Sequence, residues 1–217
     1  MFIELVDHLR CTRPHEHSWL VAAARRMEAR HVVDGELGCP VCHAEYPVRD
    51  AVADFAGETQ GDPSASGAGD AMDGSDDELL RAAALLQLVE VRRPVVVAGA
   101  WAALLPRLVE LVPATYLAVN ATASLPLRPE LSALRARGTL PLARGVAHAV
   151  ALDAAAADEG LLRGAVAALR PGGRLVAPAA VALPAGVREL ARDERHWVAE
   201  RAPDASVTAP VPLARRG

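Results

Sequence analysis

The amino-acid sequence predicts an α/β protein in which a small metal-binding module precedes a truncated, doubly wound and mainly parallel sheet. Residues 1–55 contain all three cysteines, and two of them have the spacing Cys39-x-x-Cys42 that is typical of a metal site. After residue 79, short β-branched runs alternate with helical patterns, as in a parallel sheet with helical crossovers. The sequence thus predicts three units: a module at 1–55, a linker at 56–78 and an α/β domain at 79–217.

The composition indicates a folded protein with an uneven charge. Of its 217 residues, 52% are apolar and 23% are charged, which is too apolar for a disordered chain. The net charge of −4 divides into −3 for residues 1–55, −7 for 56–78 and +6 for 79–217. All 23 basic residues are arginine, so a Schiff-base or P-loop lysine is excluded.

The same sequence argues against a membrane or secreted protein. The longest uncharged stretch, Leu111–Leu127, is interrupted by prolines and polar residues and is too short to span a membrane. Glu4 and Asp7 lie where a signal peptide needs positive charge. Three cysteines in such a chain favour a metal site in a reducing compartment over a disulfide framework, so we expect a cytoplasmic protein.

The cysteines predict a structural zinc site. Cys39-x-x-Cys42 lets two thiolates converge on one tetrahedral ion, at about 2.3 Å from each sulfur. A structural zinc needs four ligands, and the remaining cysteine, Cys11, lies close in sequence to His15. We therefore expect Cys11, His15, Cys39 and Cys42 to hold zinc. The alternatives for the fourth ligand are His17, His8 and His43.

A zinc ion also agrees with the small size of this module. About 55 residues with few aromatic side chains can hardly offset their own chain entropy, whereas structural zinc contributes on the order of 10 kcal/mol. Between the two ligand pairs, Ser18–Gly38 is expected to form a β-hairpin, because zinc ribbons carry their metal-binding turns at hairpin ends. Residues 1–55 are thus predicted to be a zinc-ribbon-like module.

The next segment, Ala56–Glu78, is rich in Gly, Ser and Asp and has almost no residue that could be buried. It is expected to be an acidic, flexible linker. At its end, Ser75 is followed by three acidic residues, which predicts an N-cap for a helix in Leu79–Val91.

The larger domain alternates between strand and helix patterns. Buried strands are predicted at residues 93–98, 115–119, 146–152 and 174–177. Helices are predicted at 101–111, 128–137, 158–169 and 185–192, and weaker extended segments at 196–199 and 207–213. Such repeated units imply a doubly wound sheet.

One stretch of the first module, from Leu37 to Asp50, reads Leu-Gly-Cys-Pro-Val-Cys-His-Ala-Glu-Tyr-Pro-Val-Arg-Asp. It resembles the second half of the small zinc-ribbon proteins that bind and activate methyltransferases of tRNA and translation factors. Two positions depart from that family: Ala51 replaces its usual glycine, and Cys11-x-x-x-His15 replaces its first Cys-x-x-Cys. The resemblance covers about residues 5–55 and implies a zinc ribbon with a protein partner, a methyltransferase or a larger complex.

A second resemblance lies in the larger domain. The run Ala147–Asp153, then a predicted helix, then Leu169–Val176 with its Pro-Gly-Gly turn, is similar to the fourth strand, following helix and fifth strand of class I S-adenosylmethionine-dependent methyltransferases. This resemblance spans roughly residues 79–200 and implies a Rossmann-like, methyltransferase-like sheet.

The cofactor-binding positions of that family are largely altered. The family has a glycine-rich loop after the first strand and an acidic residue at the end of the second. Here Gly99 is the one glycine left in the loop, Val97 replaces an acidic residue, and Trp101 and Ala103 replace later glycines. The second strand ends at Asn120. The loop and the strand end therefore predict a domain that has lost S-adenosylmethionine binding.

Other functional classes find less support in the sequence. Asp153 follows the fourth strand, where the family places catalytic groups, but a lone Asp before four alanines is more typical of a helix cap. His148 lies in a predicted buried strand and is expected to be a satisfied core residue. The arginines of the domain are scattered and aromatic residues are only 3%, so a base-stacking surface is not expected.

The sequence therefore predicts a non-catalytic, zinc-binding adaptor or scaffold subunit, whose degenerate methyltransferase-like domain is a pseudoenzyme and which binds a protein partner. No catalytic and no cofactor-binding residues are assigned beyond the zinc ligands. The alternative is an S-adenosylmethionine-dependent methyltransferase that acts on RNA or on a translation-related protein. A third hypothesis is a nucleic-acid-binding accessory protein.

Overall fold

The structure is a computed structural model of the chain. It describes residues 1–57, 72 and 74–203. No helix in this described part of the chain is long and apolar enough to cross a membrane.

The amino-terminal part is an antiparallel sheet that follows a short 3₁₀-helix. The helix is Ile3–His8, and the strands are β1 (Val21–Glu28), β2 (His31–Gly38), β3 (Glu45–Arg49) and β4 (Val52–Asp54). The hairpin of β1 and β2 confirms the expected strand pair in residues 18–38. Its turn takes a left-handed backbone at Ala29 and Arg30.

Among the described residues, the larger part contains three α-helices, one 3₁₀-helix and seven strands. In chain order they are α1 (Asp76–Leu85), β5 (Val95–Ala98), a 3₁₀-helix (Gly99–Leu104), α2 (Leu105–Leu111), β6 (Tyr116–Val119), β7 (Leu131–Arg135), β8 (Ala147–Ala151), α3 (Glu159–Ala168), β9 (Leu169–Pro178), β10 (Val187–Arg192) and β11 (His196–Arg201). Ser75 caps α1 as expected, because its hydroxyl accepts a hydrogen bond from the N–H of Glu78 at 3.2 Å.

Within residues 1–57 and 74–203, eleven strands form a single sheet in the order β1-β2-β3-β4-β7-β6-β5-β8-β9-β11-β10. The strands from β4 to β9 pair in parallel, whereas β11 is antiparallel to both of its neighbours. Counted from β5, the order of the larger part is 3-2-1-4-5-7-6. This is the doubly wound order 3-2-1-4-5-6 with one antiparallel strand inserted. The predicted α/β class is confirmed, and the sheet is parallel in its region from β4 to β9.

The two parts are joined through β4 and β7. Val52 pairs with Ala133 and Asp54 with Arg135, in a parallel register. His31 adds a contact across the junction, since its Nε2 lies 3.0 Å from the carbonyl oxygen of Arg128. One apolar core runs through both parts. The linker predicted at 56–78 falls largely outside the described residues, and the domain boundaries stay a prediction.

Two predicted helices are wrong. Residues 128–137 contain β7 and residues 185–192 contain β10. In both cases pairing with neighbouring strands overrides helix-favouring Ala, Leu and Arg: β7 lies between β6 and β4, and β10 pairs with β11. The predicted extended segment at 207–213 lies outside the described residues.

The outer strands of the sheet are irregular. The pairing of β1 with β2 shifts register between Ala24 and Arg26, and that of β10 with β11 shifts between Glu189 and Ala191. Such shifts are β-bulges, which bend a strand and increase its twist.

Candidate functional site: a Cys/His group and a closed cleft

Four side chains of the amino-terminal part converge on one point. Cys39 and Cys42 lie in the turn between β2 and β3, while Cys11 and His15 lie between the first 3₁₀-helix and β1. Their sulfur and nitrogen atoms all lie within 4.8 Å of one another, an arrangement that can hold a metal ion. The structure thus brings together all four residues that the sequence analysis selected.

The distances within this group agree with those of tetrahedral zinc. The Sγ atoms of Cys11 and Cys42 are 3.7 Å apart, and Nε2 of His15 lies 3.5 Å from Sγ of Cys39. Tetrahedral geometry with Zn–S bonds of about 2.3 Å and Zn–N bonds of about 2.0–2.1 Å places two sulfurs about 3.8 Å apart, and a sulfur and a nitrogen about 3.6 Å apart.

The local backbone explains why these side chains meet. The N–H of Cys39 donates to the carbonyl of Ala44 at 2.9 Å, and the N–H of His43 donates to the carbonyl of Cys39 at 3.0 Å. His43 adopts a left-handed backbone, with φ of 58°, which closes the turn. On the other side, the N–H of Cys11 donates to the carbonyl of Ser18 at 3.2 Å.

The orientation of His15 also suits a ligand. Its Nδ1 lies 2.5 Å from the carbonyl oxygen of Glu16, so Nδ1 carries the proton and the lone pair of Nε2 faces Cys39. Metal-binding histidines commonly donate their other ring N–H to a carbonyl in this way. Among the described residues, the alternatives His17, His8 and His43 are not members of the group.

The environment of Cys39 favours its thiolate. Burial opposes ionisation, but the N–H groups of Cys42 and Val41 and the neighbouring thiols outweigh it and lower the pKa of Cys39 to about 6. For Cys42 the N–H of Ala44 acts to lower the pKa, but slight burial and the nearby thiols of Cys39 and Cys11 raise it above its usual value. The turn therefore favours deprotonation at one of its two thiols.

Tyr46 is a functional candidate that the sequence analysis missed. Its hydroxyl lies 3.1 Å from Sγ of Cys11 and accepts a hydrogen bond from the N–H of Thr12, also at 3.1 Å. Oγ1 of Thr12 also lies 3.0 Å from this hydroxyl. When Thr12 donates to Tyr46, the Tyr46 proton is available to orient a Cys11 thiolate. The signal was present, because Tyr46 opens the Tyr-Pro-Val-Arg-Asp run noted above.

The second region of interest is the loop after β5. It lies at the carboxyl edge of the sheet between the neighbouring strands β5 and β8, where the strand order reverses. Ligands of doubly wound folds bind at such a switch point. Here the carboxylate of Asp153 lies directly against Gly99, and a Cβ added to Gly99 would overlap it. One oxygen of Asp153 accepts from the N–H of Ala100 at 2.8 Å, and the other accepts from the N–H of Ala156 at 2.9 Å. The chain itself thus occupies the space beside the loop.

Little room remains beside the Gly99 loop. Trp101 is only 1% exposed, and its ring stands edge-on to that of His196, with centroids 5.2 Å apart. The cavity bounded by Trp101, Asp153, Pro178 and His196 has a volume of about 70 Å³. Cavities that take small molecules or cofactors typically measure about 300–1,000 Å³. The cleft is therefore closed to a ligand of that size.

Asn120 and His148 are held by the backbone. The Asn120 amide donates to the carbonyl of Ala136 and accepts from its N–H, both at 2.9 Å. Nε2 of His148 lies 2.9 Å from the carbonyl oxygen of Gln87, and the residue is buried, as expected for a core histidine. Both side chains serve the fold.

A charged network covers the same edge. The guanidinium of Arg195 donates to both carboxylate oxygens of buried Glu78, at 3.0 and 3.3 Å, and Arg81 donates to Asp193 at 2.5 Å. Burial and the charges of Arg81 and Arg195 lower the pKa of His196. These contacts fasten α1 to the turn between β10 and β11, which sequence reasoning did not foresee because the partners are more than 110 residues apart.

Comparison with known protein families finds no match, and comparison with curated proteins finds none either. Among solved structures, similarity is found to a geranyl diphosphate C-methyltransferase from Streptomyces coelicolor A3(2), with 16% identity, 46% of this chain and 44% of that chain covered, and a TM-score of 0.37.

Two further structures are similar to this chain. A complex between the Haloferax volcanii Trm112 methyltransferase activator and a putative methyltransferase has 16% identity, covers 55% of this chain and 61% of that chain, and gives a TM-score of 0.38. An S-adenosylmethionine-dependent methyltransferase from Mesorhizobium loti has 21% identity, coverages of 54% and 63%, and a TM-score of 0.34. The chain spans less than two thirds of the length of each of the three.

Proposed function

We propose that this protein is a cytoplasmic, zinc-binding adaptor whose methyltransferase-like domain is not catalytic. The observation that carries the proposal is the position of Asp153, whose carboxylate lies on Gly99 and accepts the N–H of Ala100. The loop that would approach a cofactor is thereby engaged within the chain. In its Cys/His group, in contrast, the distances from Cys11 to Cys42 and from His15 to Cys39 support a tetrahedral zinc site.

Zinc is the metal that this donor set favours. Three thiolates and one imidazole are typical of structural zinc, and the four ligands leave no open position for catalysis. The pKa of Cys39, lowered to about 6, and the tautomer of His15 both supply the ligand forms that zinc binds. In this proposal the ion fastens the turn between β2 and β3 to the segment that carries Cys11.

Three features argue against useful binding of S-adenosylmethionine. The carboxylate of Asp153 would have to leave the Gly99 loop, and Trp101 would have to leave its buried position. Asn120, which replaces the ribose-binding acid, already uses both ends of its amide on Ala136. Losing a charge-assisted hydrogen bond to the ribose costs roughly 1.5–3 kcal/mol, or about one to two orders of magnitude in affinity.

The partner surface of the proposed adaptor lies around the metal group. Three large apolar side chains are exposed there: Trp19 (66%), Val21 (62%) and Val41 (57%). Val41 lies between Cys39 and Cys42, and Val21 pairs with Gly38 directly before Cys39. Exposed apolar clusters of this kind commonly mark protein–protein contacts.

The resemblance of residues 37–50 to methyltransferase activators makes a methyltransferase or a larger complex the partner that we favour. Such a partner would contact the side chains around the metal group. Strand β4 of the module is not available to it, because β4 is already paired with β7.

Calorimetric titration with S-adenosylmethionine tests the non-catalytic half of this proposal. We expect no binding up to millimolar cofactor, for the protein with its metal content verified. A micromolar dissociation constant would overturn it and favour the alternative, a methyltransferase acting on RNA or on a translation-related protein.

The second part of the proposal, binding of a protein partner, is tested by comparing surface variants. Trp19→Ser and Val41→Ser should abolish copurification of a partner that the parent retains. The matched control is Val89→Ser, since Val89 is 71% exposed but follows α1, outside the amino-terminal part. Equal recovery of the partner with all three variants would contradict the assignment of this surface.

A further inference from the structure

One large cavity of the described structure lies away from both the metal group and the closed cleft. It has a volume of about 860 Å³ and lies between α3 and residues 181–186, with residues 201–203 at one end. We refer to it as the α3 groove. None of its lining residues takes part in the Cys/His group or in the Gly99 loop.

The topology explains why this groove exists. β9 and β10 run in the same direction, because each is antiparallel to β11, which lies between them. Parallel strands are usually connected by a dozen or more residues that include a helix. Here residues 179–186 make the connection without a helix, so the surface beside α3 lacks the element that would normally cover it.

The walls of the groove are apolar. Leu162 and Val166 project from α3, and Val181 and Leu183 face them from the connection. The volume lies within the range of about 300–1,000 Å³ that is typical of sites for small molecules. An aliphatic chain suits such walls, because burying each methylene contributes about 0.8 kcal/mol.

The charges of the groove are predominantly positive. Three arginines line it, Arg144, Arg163 and Arg201, against one acid, Glu159. Glu159 is already paired with Arg163 at 2.5 Å, and Arg201 is buried, with its guanidinium bound to the carbonyls of Ala167 and Leu169. Arg144 is exposed and makes no hydrogen bond or ion pair with another described residue, so its guanidinium is available to an anion.

We propose that the α3 groove binds an amphipathic anion, a molecule with an aliphatic chain and a carboxylate or phosphate head. The chain lies between Leu162, Val166 and Leu183, and the head group pairs with Arg144. A positive rim on an apolar cleft also excludes cations of the same chain length, because like charges within a low-dielectric cleft repel.

Calorimetry on the full chain with dodecanoate, dodecyl phosphate and decanoate tests this proposal, below their micelle concentrations. We expect micromolar binding of at least one dodecyl anion, and about fourfold tighter binding per added methylene. The relative affinities of the carboxylate and the phosphate identify the head group. If dodecyltrimethylammonium or dodecanol binds as tightly as dodecanoate and dodecyl phosphate do, the proposal is wrong.

Matched variants locate the site. Leu183→Asp and Arg144→Glu should each weaken binding at least fivefold. Leu190→Asp is the control for the first, because Leu183 and Leu190 are both 37% exposed but Leu190 lies on β10 outside the groove. Arg26→Glu, on exposed β1, is the control for the second. Equal losses in the variants and their controls would contradict the assignment.

A shortened chain that ends at Pro203 tests whether the groove takes a ligand or is filled by residues 204–217 of the same chain. If this shortened chain binds either dodecyl anion and the full chain binds neither, residues 204–217 compete for the groove and the proposal is wrong. Equal binding by the two chains supports it, and absence of binding of both anions to both chains overturns it.

Discussion

The Asp153 carboxylate and the N–H of Ala100 form a hydrogen bond of 2.8 Å across the carboxyl edge of the sheet. The N–H groups that follow a parallel strand are the donors with which a doubly wound fold holds an anionic or polar ligand. In this chain the N–H of Ala100 is satisfied by the Asp153 side chain, which follows the neighbouring strand β8. Substitutions around this loop therefore act on a contact within the chain.

Substitution of the metal-binding residues should release one zinc per chain. Cys39→Ser removes the most buried of the three thiols, and the loss of a site worth on the order of 10 kcal/mol should unfold the amino-terminal strands. His15→Ala should also lower the zinc content, measured by elemental analysis of protein purified without added metal. His17→Ala is its control and should keep the ion. Full zinc content in Cys39→Ser, or in His15→Ala, would contradict the assigned ligands.

Tyr46→Phe should weaken metal retention without unfolding the protein. The substitution removes the hydroxyl 3.1 Å from Cys11 but keeps the ring that contacts Phe55 at 4.5 Å between centroids. Loss of an outer hydrogen bond to a ligand typically lowers metal affinity about 10–100-fold. Competition with a chelator measures this change. Tyr116→Phe, which removes a hydroxyl far from the metal group, should behave like the parent; equal metal loss in both variants would rule out a positioning role for Tyr46.

Asn120→Asp should destabilise the fold and should not create cofactor binding. The aspartate has no N–H for the carbonyl of Ala136, and Asn120 is only 8% exposed. An unsatisfied buried acceptor costs about 1–3 kcal/mol, measurable by urea unfolding. Thr122→Asp, in the exposed loop two residues later, should cost less than about 0.5 kcal/mol. Micromolar binding of S-adenosylmethionine by Asn120→Asp would show that Asp153 does not block the loop.

Asp193 should contribute stability that disappears in acid. The N–H of His196 and the guanidinium of Arg81 lower the pKa of Asp193 from 3.8 to about 2. Because its pKa is lowered in the folded state, Asp193 stabilises the fold fully above pH 3.8, and this stability is lost as the pH falls through about 2. Asp193→Asn should therefore lower the unfolding free energy at pH 7, and the difference should shrink below pH 3.8 and vanish below about pH 2. Exposed Glu194→Gln serves as the control, and a difference for Asp193→Asn that is independent of pH would exclude the carboxylate as its cause.

The sequence was sufficient to predict the elements whose signals are local. Cys39-x-x-Cys42 and nearby Cys11 and His15 predicted the Cys/His group that the structure brings together, because ligand spacing within a turn is set by covalent geometry. The run of three valines and one alanine before Gly99 predicted the central strand β5, which is buried on both faces.

Features that depend on distant partners could not be predicted. The parallel pairing of β4 with β7 joins residues about 80 positions apart, and a three-residue strand leaves no pattern in the sequence. Asp153 reads as a helix cap, and it does accept the N–H of Ala156 in that manner. Its second role, on the Gly99 loop, follows only from the adjacency of β5 and β8.

The bulges in β1 and β10 determine how this sheet can meet other molecules. These are the two outermost strands of the sheet among the described residues, and each has a register shift in its pairing. Each also carries two arginines, Arg25 and Arg26 on β1 and Arg188 and Arg192 on β10. Each of these arginines is ion-paired with a carboxylate of its own strand or of the neighbouring one. A bent outer strand that carries charged side chains is a poor template for a further strand from another chain. Edge-to-edge aggregation is therefore disfavoured at both ends of the sheet, and association must proceed through side chains.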